Sequence, residues 1–116
     1  MKILVFDIGG TSIKYGIFKE SSLTEIHETP TEAHLGGRHI LSKIISIAEK
    51  ESDFDAIGIS TAGQVNSDTG SIIYANRNIP NYTGTQIKKE LEEIEKNFSL
   101  YATMHQRFVT VVDKFE

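Results

Sequence analysis

Cysteine is absent from the 116 residues, which excludes a disulfide framework and thiolate zinc sites and suits a reducing cytosol. Positive charge is short as well. Lys and Arg number 12 against 16 Asp and Glu, a formal net charge of -4, and a nucleic-acid surface normally announces itself by a surplus of Lys and Arg. DNA and RNA are therefore not expected partners. Long apolar runs are also lacking. The longest, Ile3 to Phe6, is far too short to cross a bilayer, and Met1-Lys2 leads into it without a signal-peptide pattern. No membrane partner is expected, and the expected location is the cytoplasm.

What is present describes a folded domain. Hydrophobic residues make up 39% of the chain and charged residues 24%, with a mean hydropathy of -0.22, outside the range of disordered or fibrous chains. The length suits one domain with a real core and is too short for two lobes with a cleft between them.

Lys2 to Ile8 is nearly continuously apolar and β-branched or aromatic, and ends in Asp7-Ile8-Gly9-Gly10; this predicts a buried strand running into a tight turn. Ser12 to Lys19 alternates polar and apolar residues and predicts a second strand, with the two glycines at a hairpin. Leu23 to Thr29 reads as a third. After the polar Thr31 to Gly37 loop, Ile40, Leu41, Ile44, Ile45 and Ala48 recur at helical spacing, predicting an amphipathic helix over Arg38 to Glu51. Asp55 to Thr61 is a further buried strand, and this helix-to-strand passage marks a layered α/β domain. Ser71 to Ala75 is a short strand, Asn76 to Gly84 an irregular loop, and Thr85 to Asn97 a second helix with Ile87, Leu91 and Ile94 inward. Phe98 to Glu116 is the least legible stretch, with a strand readable at Phe108 to Val112.

The sharpest motif is Asp7-Ile8-Gly9-Gly10-Thr11-Ser12-Ile13-Lys14-Tyr15-Gly16. Glycines let the backbone approach phosphate oxygens and aim N–H groups at them. Thr11 adds a hydroxyl donor. Asp7 would repel phosphate directly but can hold a Mg²⁺ ion or its waters. The string is neither a Walker loop nor a dinucleotide fingerprint, since the turn leads to a strand and no Gly-x-x-x-x-Gly-Lys occurs. Taken alone, it also fits a plain hairpin with a strand-ending carboxylate.

The whole string resembles the phosphate-one signature of the actin-like ATPase superfamily, and its Gly-Gly-Thr-x-x-Lys-x-Gly form resembles the ROK family of sugar kinases and repressors. A second segment extends the likeness: Ile57-Gly58-Ile59-Ser60-Thr61-Ala62-Gly63-Gln64-Val65-Asn66, then Gly70-Ser71-Ile72-Ile73, then Asn76-Arg77-Asn78-Ile79-Pro80-Asn81-Tyr82. It is similar to the ROK pattern Gly-Ile-Gly-x-Pro-Gly-x-Val-Asp, Gly-x-Ile, Asn-Leu-Pro-Gly-Trp. The sequence departs from that pattern where Ala62 replaces a frequent proline and Asn81-Tyr82 replace Gly-Trp. The resemblance spans about Lys2 to Glu93.

The resemblance implies a ribonuclease H-like (actin-like ATPase) α/β lobe, a mixed β-sheet with flanking helices. It implies phosphate contacts at Gly9, Gly10 and Thr11, a weaker electrostatic contribution from Lys14, and Asp7 at a hydrated Mg²⁺. Gly63 and Gln64, with Asn76 or Asn78, would line a sugar pocket; neutral amides supply the paired donors and acceptors that sugar hydroxyls need. Which asparagine faces the sugar stays open. The implied reaction is phosphoryl transfer from ATP-Mg to a hexose hydroxyl.

A complete kinase of this kind continues with an Asn-Asp pair whose aspartate is the base, and with a second lobe and a zinc cluster. Phe98 to His105 stands where the approach to that pair is expected, and Val112 and Lys114 around Asp113 do not resemble it. The expectation is therefore a lobe over residues 1–97 with a divergent tail over 98–116, truncated, inactive alone and with no catalytic residue. The alternatives are a regulatory sugar-binding module or a scaffold that kept the fold without the chemistry. A repressor would carry a DNA-binding segment ahead of the lobe, for which Met1 leaves no room. The four histidines, His27, His34, His39 and His105, lack metal-site spacing. His34-Leu35-Gly36-Gly37-Arg38 could make a second phosphate loop, but reads better as a flexible start to the helix. An exposed apolar surface with self-association is also expected, because a second lobe would cover part of the domain.

Overall fold

The computed structural model describes residues 2–51, 53–75, 77–99 and 108–113, without the side chains of 94–99, 108, 109, 112 and 113. Three antiparallel strands begin the chain: β1 (Lys2–Ile8), β2 (Ser12–Lys19) and β3 (Ser22–Pro30). Glu20 and Ser21, both in the left-handed region with φ 52° and 63°, make the tight turn between β2 and β3. A 3₁₀ turn (Ala33–Leu35) leads into helix α1 (Gly37–Lys50), then β4 (Ala56–Thr61). The small hairpin β5 (Gln64–Asn66) and β6 (Ser71–Tyr74) precedes helix α2 (Ile87–Ser99) and β7 (Phe108–Asp113).

The main sheet has the order β3-β2-β1-β4-β7. β1 pairs antiparallel with β2 and parallel with β4, and β4 pairs parallel with β7. This is the mixed sheet with helices packed on it that the sequence implies, and the strand readable at Phe108 to Val112 becomes its fifth member. Strand alternation decides which face is dry. Leu4, Phe6 and Ile8 of β1 lie in one core cluster with Ile57, Ile59, Val111 and the apolar stripes of both helices, Ile40, Leu41 and Ile44 from α1 and Ile87 and Leu91 from α2. The inward positions Ile87 and Leu91 are as expected; the side chain of Ile94 lies outside the described residues.

Ile3, Val5 and Asp7, on the opposite face of β1, are only half-buried, and Phe18 and Leu23 stay 40% and 47% exposed. The open apolar surface expected from the sequence is thus found on this side. No helix among the described residues is long and apolar enough to cross a membrane.

Candidate functional site: the C-terminal ends of β1 and β4

Parallel pairing of β1 with β4 sets Ile8 beside Thr61, and the Ala62 N–H donates to the Ile8 carbonyl at 2.9 Å. The Gly9-Gly10 turn and the Gly63-Gln64 turn therefore leave the sheet side by side, although more than 50 residues separate them in sequence. The two glycine turns converge at one end of the fold, where ligand sites lie at the carboxyl ends of strands in α/β sheets.

Asp7 ends β1 half-buried and accepts a hydrogen bond from the Ser60 hydroxyl at 3.1 Å. Ser60 was not singled out from the sequence, and only the β1–β4 register reveals it. Lys14 stands opposite Asp7 on one side and opposite Glu28 on the other. Its ammonium is exposed between two acidic positions, an arrangement that stabilises the strand pairing whether or not phosphate is present.

Within the hairpin, the Gly9 N–H donates to the Ser12 carbonyl at 2.9 Å. Gly10 and Thr11 are exposed. Gly10 lies outside the left-handed region, and a Cβ added there would meet nothing within 4 Å. Folding alone thus gives no reason for glycine at this position, and its N–H has no partner among the described residues. An exposed glycine with free space at its Cβ position leaves the backbone open to close approach by a phosphate oxygen.

Gly63 is different, because the fold itself requires it. Its φ of 95° and the 2.8 Å approach of the Tyr74 carbonyl to its Cβ position exclude a side chain. Gln64 is exposed and pairs with Tyr74 in the β5–β6 hairpin. Asn78 is exposed on the following loop, and Asn76 lies outside the described residues. That loop is pinned by buried Ile79 and Tyr82, by the Ala75 N–H donating to the Thr83 hydroxyl at 3.0 Å, and by the Tyr82–Thr61 hydroxyl pair at 2.5 Å. Burial pushes the Tyr82 phenol up to about 12 despite the opposing hydrogen bond with Thr61.

The Gly36-Gly37 pair does not form a second phosphate loop. The Gly37 N–H donates to the Pro80 carbonyl at 3.0 Å, and the Asn81 carbonyl oxygen sits 2.5 Å from where a Gly37 Cβ would stand. The two glycines let the loop after β6 press against the start of α1, and Arg38 then pairs with Glu90 of α2 at 2.7 Å. At the same end of α1, Glu32 is held by Lys43 at 2.6 Å and by His39 at 3.1 Å. Hydrogen bonding to Lys43, then to His39, keeps its carboxyl below the usual range. His27 stacks on Tyr15 with ring centroids 5.3 Å apart, and His105 lies outside the described residues.

No group of three or more His, Asp or Glu side chains gathers to hold a metal among the described residues. A lone carboxylate at Asp7 ahead of the Gly9-Gly10 turn fits Mg²⁺, which is commonly held by one or two carboxylates, waters and substrate phosphates. Asp113 ends β7 in register with Thr61.

No protein-family model matches the chain. A protein of Clostridium perfringens described only as uncharacterized is 47% identical over 93 residues, covering 77% of this chain and 32% of its own. The N-acetyl-D-glucosamine kinase of Vibrio atlanticus is 32% identical over 96 residues, covering 77% of this chain and 30% of its own. Among solved structures, the ROK hexokinase from Thermus thermophilus superposes with a TM-score of 0.75 at 27% identity, covering 97% of this chain and 35% of that one. The chain spans about a third of the length of the curated relatives it matches. In fold and sequence it resembles the N-terminal part of ROK sugar kinases.

Proposed function

We propose that this ROK-type N-terminal lobe binds the phosphates of ATP-Mg on the Gly9-Gly10-Thr11 hairpin and a hexose beside Gly63, Gln64 and Asn78, with Asn76 the other candidate for the sugar. The observation that carries the reading is the exposed Gly10, with no partner for its N–H among the described residues and free space at its Cβ position, on a turn that leaves the sheet beside the Gly63-Gln64 turn. The kinases it resembles support it.

ATP-Mg, when bound, supplies the transferable phosphoryl group and the cation that neutralises its charge. The chain's own residues position it. Gly10 donates its N–H to a phosphate oxygen, Thr11 adds its hydroxyl, and Asp7, held by Ser60, accepts from the waters of the cation. Lys14 contributes a positive field from the next strand, and the Gln64 and Asn78 amides pair with sugar hydroxyls.

In this reading the protein works in the cytoplasm. Residues 1–97 carry the ligand groups, and 98–116 form a divergent tail that adds β7. Phe18 and Leu23 on the open sheet face favour self-association. No sugar-dependent ATP turnover is expected of the 116 residues by themselves, because the described residues form one lobe and no closed cleft.

Calorimetric titration of the purified chain with ATP-Mg and with a panel of hexoses tests the reading. Binding of both supports it. Sugar binding alone favours a regulatory module, and binding of neither favours a scaffold. Sugar-dependent turnover that survives replacement of Asp113 would overturn the statement about activity.

A further inference from the structure

We infer that Thr31 is the positioning residue that turns the Gly10 N–H outward, by holding the Gly9 carbonyl inward. As far as phosphate is concerned, the inference rests on the reading of the hairpin proposed above. Thr31 follows β3 and, like Thr61, is completely buried. Its hydroxyl donates to the Gly9 carbonyl at 2.7 Å, and its N–H donates to the Thr11 carbonyl at 2.9 Å. One residue thus grips two alternate carbonyls of the turn.

The consequence follows from the planar trans peptide. The Gly9 carbonyl and the Gly10 N–H belong to one peptide unit and point in opposite directions. Holding the oxygen toward the buried Thr31 hydroxyl therefore aims the N–H away from Thr31, on a residue that is itself exposed. The Thr11 carbonyl fixes the Ser12 N–H in the same way. A Gly-Gly link is the kind most ready to rotate, because neither residue has a Cβ to restrict it. A rotated Gly9–Gly10 peptide would present its carbonyl oxygen to an incoming phosphate, and the two would repel. The neighbouring carbonyls of Ile8 and Ser12 are engaged too, by the Ala62 N–H and the Gly9 N–H, so Thr31 completes the anchoring of the turn on either side of Gly10.

Thr31→Val keeps the shape and removes the hydroxyl, and Thr31→Ser restores the hydroxyl without the methyl group. In the ligand-free 116-residue chain, Thr31→Val is expected to shift the Gly10 amide resonance and speed its hydrogen exchange, while Thr31→Ser leaves both near wild type. Affinity for ATP-Mg should fall about tenfold or more in Thr31→Val, the effect of one hydrogen bond to a charged group, and stay within about threefold in Thr31→Ser, with sugar affinity unchanged in both.

A Thr31→Val chain that melts earlier but keeps the wild-type Gly10 amide signal would overturn the inference and leave Thr31 a purely structural residue. Wild-type chain that binds no ATP-Mg would instead sink the phosphate reading, and the Gly10 amide in Thr31→Val would still decide the peptide's orientation. Should Thr31→Val not fold, the wild type decides: a Thr31 hydroxyl proton without slowed exchange overturns the inference, and a protected one supports it.

Discussion

The Tyr82 phenol and the Thr61 hydroxyl meet at 2.5 Å in the core, so that the loop after β6 is tied to the very end of β4. The contact holds Asn78 and Gln64 on one framework, since each lies within four residues of a member of the pair. Its energetics can be tested through pH, because burial lifts the phenol to about 12.

The unfolded chain, with an ordinary tyrosine, loses its proton near pH 10, before the folded one does. The Tyr82 contribution is thus complete below pH 10 and declines as pH rises toward 12, by roughly 3 kcal/mol over the window. Tyr82→Phe should cost about 1 kcal/mol at neutral pH and remove that part of the alkaline loss. Urea unfolding of both proteins at intervals from pH 8 upward measures the difference; parallel curves would show that Tyr82 is not the titrating group.

Leu91 is buried between α2 and the sheet cluster. Leu91→Ala should destabilise the chain by about 2–5 kcal/mol, the range for a core leucine whose cavity does not collapse. An unchanged thermal melt would mean that α2 does not pack through this face.

Gly10 and Gly37 should respond oppositely to a new side chain. Gly10→Val adds atoms to open space, so the melt should hardly move while ATP-Mg binding is lost. Gly37→Ala drives a Cβ into the Asn81 carbonyl 2.5 Å away, and the crowding should lower stability by about 1–3 kcal/mol. Equal stability losses in the two variants would show that Gly10, like Gly37, serves packing.

Asp7→Asn preserves shape and can still accept from Ser60. Nucleotide affinity should lose its magnesium dependence, because the amide no longer attracts the hydrated cation. Titrations with and without Mg²⁺ check this. If the lobe binds too weakly, the same substitution can be assayed in a full-length homologue carrying this hairpin. An unchanged magnesium response would reduce Asp7 to a strand-ending carboxylate.

Local pattern was enough to read the helices and most of the strands of this chain. Alternation marked β2, apolar runs marked β1 and β4, and the 3.6-residue stripe marked α1 and α2, because each of these signals lives within a few residues. The boundaries moved little: α1 starts at Gly37 rather than Arg38, and α2 at Ile87 rather than Thr85. The short strand β5 escaped notice because Gln64–Asn66 has no pattern of its own and becomes a strand only by pairing with β6.

The candidate site divides along the same line. Asp7, Gly9, Gly10 and Thr11 were legible because a contiguous motif carries them. Gly36-Gly37 offered two local readings, and only the approach of the Asn81 carbonyl decides for packing. Thr31, Ser60 and Thr61 carry no local signal of the partners they meet. Their importance arises when distant segments meet, Thr31 with Gly9, Ser60 with Asp7 and Thr61 with Tyr82.

The sequence by itself therefore determined which segments are strand, helix and glycine turn, since backbone sterics and hydrophobic periodicity act over short range. Only the tertiary structure decided which polar groups those segments share. A hydrogen bond depends on position in space to within tenths of an ångström, and the parallel pairing of β1 with β4 brings together residues that nothing in their own neighbourhoods relates.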